Sequence, residues 1–77
     1  TKTLIKGFNL MTKVYQLNSS EDGVLGIYGN KKRAIEAAIQ YVENSGGEDY
    51  NIDNNNAYIT YIEGEYSSAN VELFHLQ

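Results

Sequence analysis

The chain contains no cysteine, no proline and no tryptophan in its 77 residues. Without cysteine, disulfides, thiolate metal sites and a thiol nucleophile are excluded, so packing alone must hold the fold, as a reducing cytoplasm requires. No apolar run approaches the roughly 20 residues of a membrane span, and no secretory leader is recognisable. The length suits one small globular domain, which we expect to be soluble and cytoplasmic.

Basic residues are few and unevenly placed. The formal net charge is −4, and no Lys or Arg follows Arg33. Residues 1–33 therefore carry a net charge of +4 and residues 34–77 a net charge of −8. An acidic net charge argues against non-specific binding of nucleic acid, because neutralising phosphates needs a basic surface. The acidic half either keeps a small domain soluble or faces a basic partner protein.

The first ten residues are set apart from the rest. Met11-Thr12-Lys13 resembles a natural start, so residues 1–10 are predicted to be an added segment or an N-terminal arm. Their apolar residues suit an extra strand or a packing arm; they are Leu4, Ile5, Phe8 and Leu10. Residues 11–77 are predicted to form a single domain.

A hairpin followed by a helix is predicted in the first half. Lys13–Leu17 and Val24–Tyr28 are two β-rich runs separated by a polar segment with an Asp-Gly turn signal. From Lys31 the apolar period changes to that of an amphipathic helix, at Ile35, Ala38, Ile39 and Val42. Asn30 is the expected N-cap, and Gly46 the expected left-handed C-terminal cap.

A second hairpin is predicted to close the chain. Residues 48–56 are acidic and Asn-rich, and their apolar residues follow neither the helical nor the strand repeat. We interpret them as a loop. Residues 57–62 and 71–76 are predicted strands, joined by the break at residues 64–69. The expected fold class is therefore α+β: a four-stranded antiparallel sheet of two hairpins with one helix packed on one face, in the order ββαββ.

One helix is expected to leave a face of this sheet without cover. Four strands make a sheet roughly 19 Å wide, whereas a helix is about 10–12 Å across with its side chains. Both predicted strands of the second hairpin carry apolar residues on their two faces. Residues 4–10, a second copy of the chain or a partner protein are the candidate covers, and the copy would make a homodimer through the uncovered face.

Acidic residues and tyrosines form the predicted partner-binding set. Tyrosine has one apolar and one polar end and is frequent at interfaces, and together with carboxylates it can bind Arg- and Lys-rich surfaces. The predicted residues are Glu48, Asp49, Tyr50, Asp53, Glu63, Glu65 and Tyr66. Because the loops that carry them join residues 57–62 at opposite ends, two separate patches are expected. Carboxylates spaced like phosphates would give the protein the character of a DNA mimic.

The alternative site is basic. Lys31, Lys32 and Arg33 occupy the first helical turn, where the helix dipole favours anions, so their placement opposes the dipole. They are solvated charges, partners of the chain's own acidic loop, or a weak site for nucleic acid or another anion. A shallow salt dependence is expected of the last of these.

No catalytic, metal or cofactor site is predicted. His75 is the sole imidazole, and no nucleophile motif or phosphate-binding glycine loop occurs. Residues 49–54 imitate the start of a calcium loop, but Asn54 stands where glycine is needed and Thr60 where the final glutamate is needed. We therefore predict a non-enzymatic protein without cofactor.

Three segments carry a family resemblance. Lys13-Val14-Tyr15, the strand Gly23–Tyr28 and the helix start Asn30–Ala34 resemble small phage and bacterial ββαββ accessory proteins, over residues 11–42. The resemblance implies a small, phage-encoded protein that inhibits or modulates a host protein by binding it. It implies no catalytic residue.

Overall fold

The computed structural model describes residues 13–54 and 56–75, which form one antiparallel sheet and one helix. The elements in chain order are β1 (Lys13–Ser19), β2 (Gly23–Tyr28), α1 (Lys31–Asn44), β3 (Tyr50–Asn54), β4 (Ile59–Gly64) and β5 (Ser68–His75). The strand order across the sheet is β2-β1-β5-β4-β3, so β2 and β3 form the two edges. The predicted arm of residues 1–10 lies outside the described residues.

The helix begins and ends where the sequence predicts. The Asn30 side chain accepts a hydrogen bond of 3.2 Å from the backbone N–H of Arg33, which confirms the N-cap. Gly46 has a φ of +105°, and its N–H donates to the Glu43 carbonyl at 3.0 Å, which confirms the glycine stop. In the described part of the chain, no helix is long and apolar enough to cross a membrane.

The prediction of a four-stranded sheet of two hairpins is wrong, because the described residues already form five strands of one sheet, in the order ββαβββ. The missed strand is β3, which lies in the segment interpreted as a loop and pairs with β4 from Tyr50 opposite Gly64 to Asn54 opposite Thr60. All five residues of β3 are exposed, so an alternating apolar pattern is not required there. The α+β class itself is correct.

The core lies between α1 and the three central strands. Its buried apolar residues are Leu17, Ala34, Ala38, Val42, Ile62, Ala69 and Val71. Ala34 and Ala38 are fully buried, and their small side chains allow the helix to approach the sheet closely. Gly64 allows the same at the end of β4, since a Cβ there would lie 2.9 Å from Val42 Cβ. Small residues on both elements thus set the distance between helix and sheet.

The face of the sheet opposite α1, called the open face below, is only partly apolar. Most of its apolar residues lie toward the end where β1 begins and β5 ends: Val14, Ile27, Ile59 and Phe74. Val24 lies toward the other end, opposite Asn18, and Tyr61 lies opposite Asn70. Its centre is polar, with Gln16 Nε2 donating to Asn18 Oδ1 at 2.8 Å and Asn18 Nδ2 donating to Asn70 Oδ1 at 3.0 Å. The apolar surface for which the sequence predicts a cover is therefore largest at one end of this face.

Candidate protein-binding site

The turn between β1 and β2 lies at the same end of the sheet as the end of α1. The helix starts after β2 and has 14 residues, or about 21 Å, which is close to the length of β2. It therefore returns to the end from which β2 began. Tyr41 Oη, in the last turns of α1, donates to Asp22 Oδ2 at 2.8 Å and lies 3.1 Å from Ser19 Oγ. These contacts join the turn to the helix.

The carboxylate of Glu65 holds the start of β3 at that same end. Its Oε1 accepts from the backbone N–H groups of Glu48, at 2.7 Å, and Asp49, at 3.2 Å. These two hydrogen bonds, the one from Glu48 first, lower the pKa of Glu65 because they stabilise its charged form, and slight burial opposes them. The segment after α1 is thus tied to the turn between β4 and β5.

Two glycines allow this turn to approach the helix end. Gly46 and Gly47 have φ values of +105° and +89°, a region that side chains with a Cβ disfavour. A Cβ on Gly46 would lie 3.3 Å from the Tyr66 ring, and one on Gly47 would lie 2.8 Å from Glu65 Cβ. Tyr66 and Glu65 therefore pack directly against glycine backbone.

Acidic residues from four separate segments lie at this end of the molecule. We call this group the acidic end; it comprises Glu21, Asp22, Glu43, Glu48, Asp49, Glu63 and Glu65. In the described residues, all four cations lie at the other end: Lys13 at the start of β1, and Lys31, Lys32 and Arg33 at the start of α1. This second group is the basic end, one helix length, about 20 Å, away.

The expectation of two acidic patches is wrong. Because β3 is antiparallel to β4, Tyr50 lies opposite Gly64, and residues 48–50 lie beside residues 63–66. Of the predicted partner-binding residues, only Asp53 lies away from this group, opposite Tyr61. The error arises because residues 48–56 are interpreted as a loop. They contain β3, which runs antiparallel to β4 and so begins beside the end of β4.

The tyrosines divide into structural and exposed ones. Tyr15, Tyr28 and Tyr41 pack against the core. Tyr66 is 70% exposed at the acidic end, although one side of its ring lies against Gly46, and Tyr50 is 39% exposed. Both tyrosines that the sequence assigned to binding are therefore accessible.

Sequence reasoning missed Glu21 and Asp22 as members of the acidic group. Both precede Arg33 and so lie in the part of the sequence that has a net positive charge. The signal that could have placed them is topological: a helix as long as the preceding strand must end near the turn from which that strand starts. The length of the helix could be predicted from the sequence.

Nothing in residues 13–54 and 56–75 brings three or more His, Asp or Glu side chains together to hold a metal ion. The calcium-like segment is largely the extended strand β3, which pairs along its length with β4. Comparisons of the chain with models of protein families, with curated proteins and with solved structures give no match.

Proposed function

We propose that this domain is a non-enzymatic protein-binding module whose acidic end binds a basic surface on a partner protein. The observation that carries the proposal is a separation of charge. The β1–β2 turn, the end of α1, the start of β3 and the β4–β5 turn place their acidic residues at one end, and every described Lys and Arg lies at the opposite end. Such a one-signed surface attracts and orients a cationic partner.

Two features make this end suited to contact as well as attraction. Exposed Tyr66 and Tyr50 offer aromatic faces on which Arg or Lys side chains can stack. The hydrogen bonds of Glu65 to the backbone of residues 48 and 49 hold the segment in place before a partner arrives. Pre-ordering of this kind reduces the entropy that binding must remove.

The finer proposal concerns the kind of partner. A protein whose basic surface ordinarily binds nucleic acid would offer the cations that these carboxylates require, and the domain would then act as a DNA mimic and inhibitor. The phage origin and the host partner come from the family resemblance and stay predictions.

A charge-reversal experiment tests the proposal. The probe is an arginine-rich peptide. Its binding is measured by titrating it into the isotope-labelled domain and recording NMR spectra. We expect E48K/D49K to weaken peptide binding strongly, and the matched variant E36K/E72K, with the same net charge but unchanged residues at the acidic end, to retain most of it. Equal weakening by both variants would mean that only net charge matters and would contradict an acidic-end site.

A photocrosslinking residue identifies the partner class. In place of Tyr66, this residue lies at the acidic end. In place of Tyr58, it is also exposed, but it lies beyond the other end of β4. In a bacterial extract, we expect capture of nucleic-acid-binding proteins from position 66, reduced by added DNA, and little capture from position 58. Capture that added DNA leaves unchanged would contradict the mimicry.

The second candidate function is anion binding by the basic end, where Lys31, Lys32 and Arg33 are all exposed. The Asn30 side chain already accepts from the Arg33 N–H, so one helix donor that an anion would use is occupied. A gel shift at low salt tests it. Retardation of an oligonucleotide that K31A/K32A/R33A removes would favour this function over the proposed one.

A further inference from the structure

Among residues 13–54 and 56–75, strand β2 is an edge of the sheet whose outer side pairs with no other strand. It comprises six residues, Gly23–Tyr28, with neither charge nor proline, and Val24 and Ile27 are 59% and 62% exposed. Edge strands carry unpaired backbone N–H and C=O groups, and proteins usually shield them with charged residues, proline or a covering segment. The opposite edge, β3, is short and carries Asp53 among asparagines. The two edges therefore differ in their readiness to pair.

The side chains of β2 suit a pairing partner. The pairing of β1 with β2 shifts between Leu17 and Asn18, so that Val24 lies opposite Asn18 and Ile27 opposite Gln16. Both apolar side chains therefore project from the open face, although they are three residues apart. A strand added to β2 would cover part of them and would hydrogen-bond to the backbone groups on the outer side of β2.

We propose that β2 pairs with β2 of a second copy of this chain, antiparallel and about a two-fold axis. The charged residues on either side of β2 favour a second copy of the chain as the pairing partner. Glu21 and Asp22 immediately precede the strand, and Lys31, Lys32 and Arg33 follow it closely. Antiparallel pairing places each acidic turn beside the basic helix start of the other copy, whereas parallel pairing would place like charges together.

Other surfaces of the domain fit a second copy less well. The open face carries Asp53, Glu63 and Glu72, and no Lys or Arg among the described residues, so two open faces would oppose acids with acids. Self-pairing of β3 would bring together Asp53 and the neighbouring carboxylates of both copies. A homodimer through the uncovered face, as predicted from the sequence, is thus less favourable than one through β2.

The proposed dimer does not rest on the proposed function, although it uses Glu21 and Asp22 of the acidic end. It leaves the start of β3 and the β4–β5 turn free, because β3 and β4 lie on the side of the sheet away from β2. The contact is narrow, one strand from each copy, so we expect a weak dimer that dissociates on dilution and at high salt.

Complementary charge variants test the arrangement by sedimentation of the full chain over a concentration series. S20K/E21K makes the turn basic and leaves Asp22, with its contact to Tyr41, unchanged; K31E/K32E makes the helix start acidic. We expect each variant alone to dimerise at least tenfold more weakly than the unmodified chain, because like charges then face each other twice. An equimolar mixture should regain the association, because both contacts become complementary.

Matched edge variants test the strand. We expect I27K, on β2, to abolish dimerisation and N51K, on β3, to leave it unchanged, with circular dichroism showing both folded. An unmodified chain that stays monomeric at every concentration would overturn the proposal, as would a mixture that associates no better than its separate components. Loss of the dimer in N51K with retention in I27K would place the contact at β3 and overturn it as well.

Discussion

The hydroxyl of Tyr41 donates a hydrogen bond of 2.8 Å to the carboxylate of Asp22, across 19 residues of sequence. It joins the last turns of α1 to the β1–β2 turn, where the N–H of Asp22 also donates to Ser19 Oγ at 2.7 Å. This contact holds Glu21 and Asp22 of the β1–β2 turn at the same end of the molecule as Glu48 and Asp49, which follow the helix.

Removing the Tyr41 hydroxyl should destabilise the domain. We expect Y41F to lower the free energy of unfolding measured by urea denaturation, because the contact between helix and turn is lost. A double-mutant cycle with D22A, which removes the acceptor, isolates the contribution of the pair. If the two substitutions proved additive, the hydrogen bond would contribute nothing.

The same contact has a pH dependence. The Ser19 hydroxyl lowers the pKa of Tyr41, but the hydrogen bond to Asp22, burial and the charges of Asp22 and Glu21 outweigh it, so the pKa is raised. Because the pKa of Tyr41 is higher in the folded state, its contact contributes fully to the free energy of unfolding at pH values below the unfolded-state pKa. This contribution is lost as the pH rises through the folded-state pKa. The stability difference between the unmodified chain and Y41F should therefore shrink in alkali.

Acid should release the start of β3. The pKa of Glu65 is lowered by the Glu48 and Asp49 N–H groups, so its stabilising contribution is present above the unfolded-state pKa and is lost as pH falls through the lower folded one. We expect the stability advantage over E65Q to be largest at neutral pH and to vanish in acid. The amide resonances of residues 48 and 49 should titrate with Glu65; amides that do not move would contradict the contact.

Gly47 should not tolerate a side chain. G47A combines a positive φ with a Cβ 2.8 Å from Glu65 Cβ, and we expect it to cost about 1–3 kcal/mol of stability. Gly29 is the matched control, because its φ is not positive and a Cβ there meets nothing within 4 Å. G29A should be neutral or stabilise by up to about 1 kcal/mol in the same denaturation assay. Equal effects would contradict the close packing at Gly47.

Two isoleucines opposite each other in the sheet should differ sharply. Ile62 is fully buried under α1, whereas Ile52, its partner on β3, is 45% exposed. We expect I62A to cost about 2–5 kcal/mol and I52A about 1 kcal/mol or less by thermal or urea unfolding. A large cost for I52A would mean that β3 contributes more to the core than its exposure indicates.

Local signals predicted the elements that carry them. The helix repeat ending at Val42, the side-chain oxygen of Asn30 and the freedom of Gly46 each act within a few residues, and the structure confirms all three. β3 has no such signal, since its apolar content is Tyr50 and Ile52 on an exposed edge. Its existence depends on backbone pairing with β4, which composition does not record.

By itself, the sequence determined an α+β domain with a capped helix, a first hairpin and an acidic second half, because these follow from local periodicity and charge counts. The tertiary structure alone decided the number of strands, which strands form the edges, and the gathering of acids at one end and described cations at the other. These depend on strand register and on the direction in which α1 returns across the sheet, which are contacts between residues far apart in the chain.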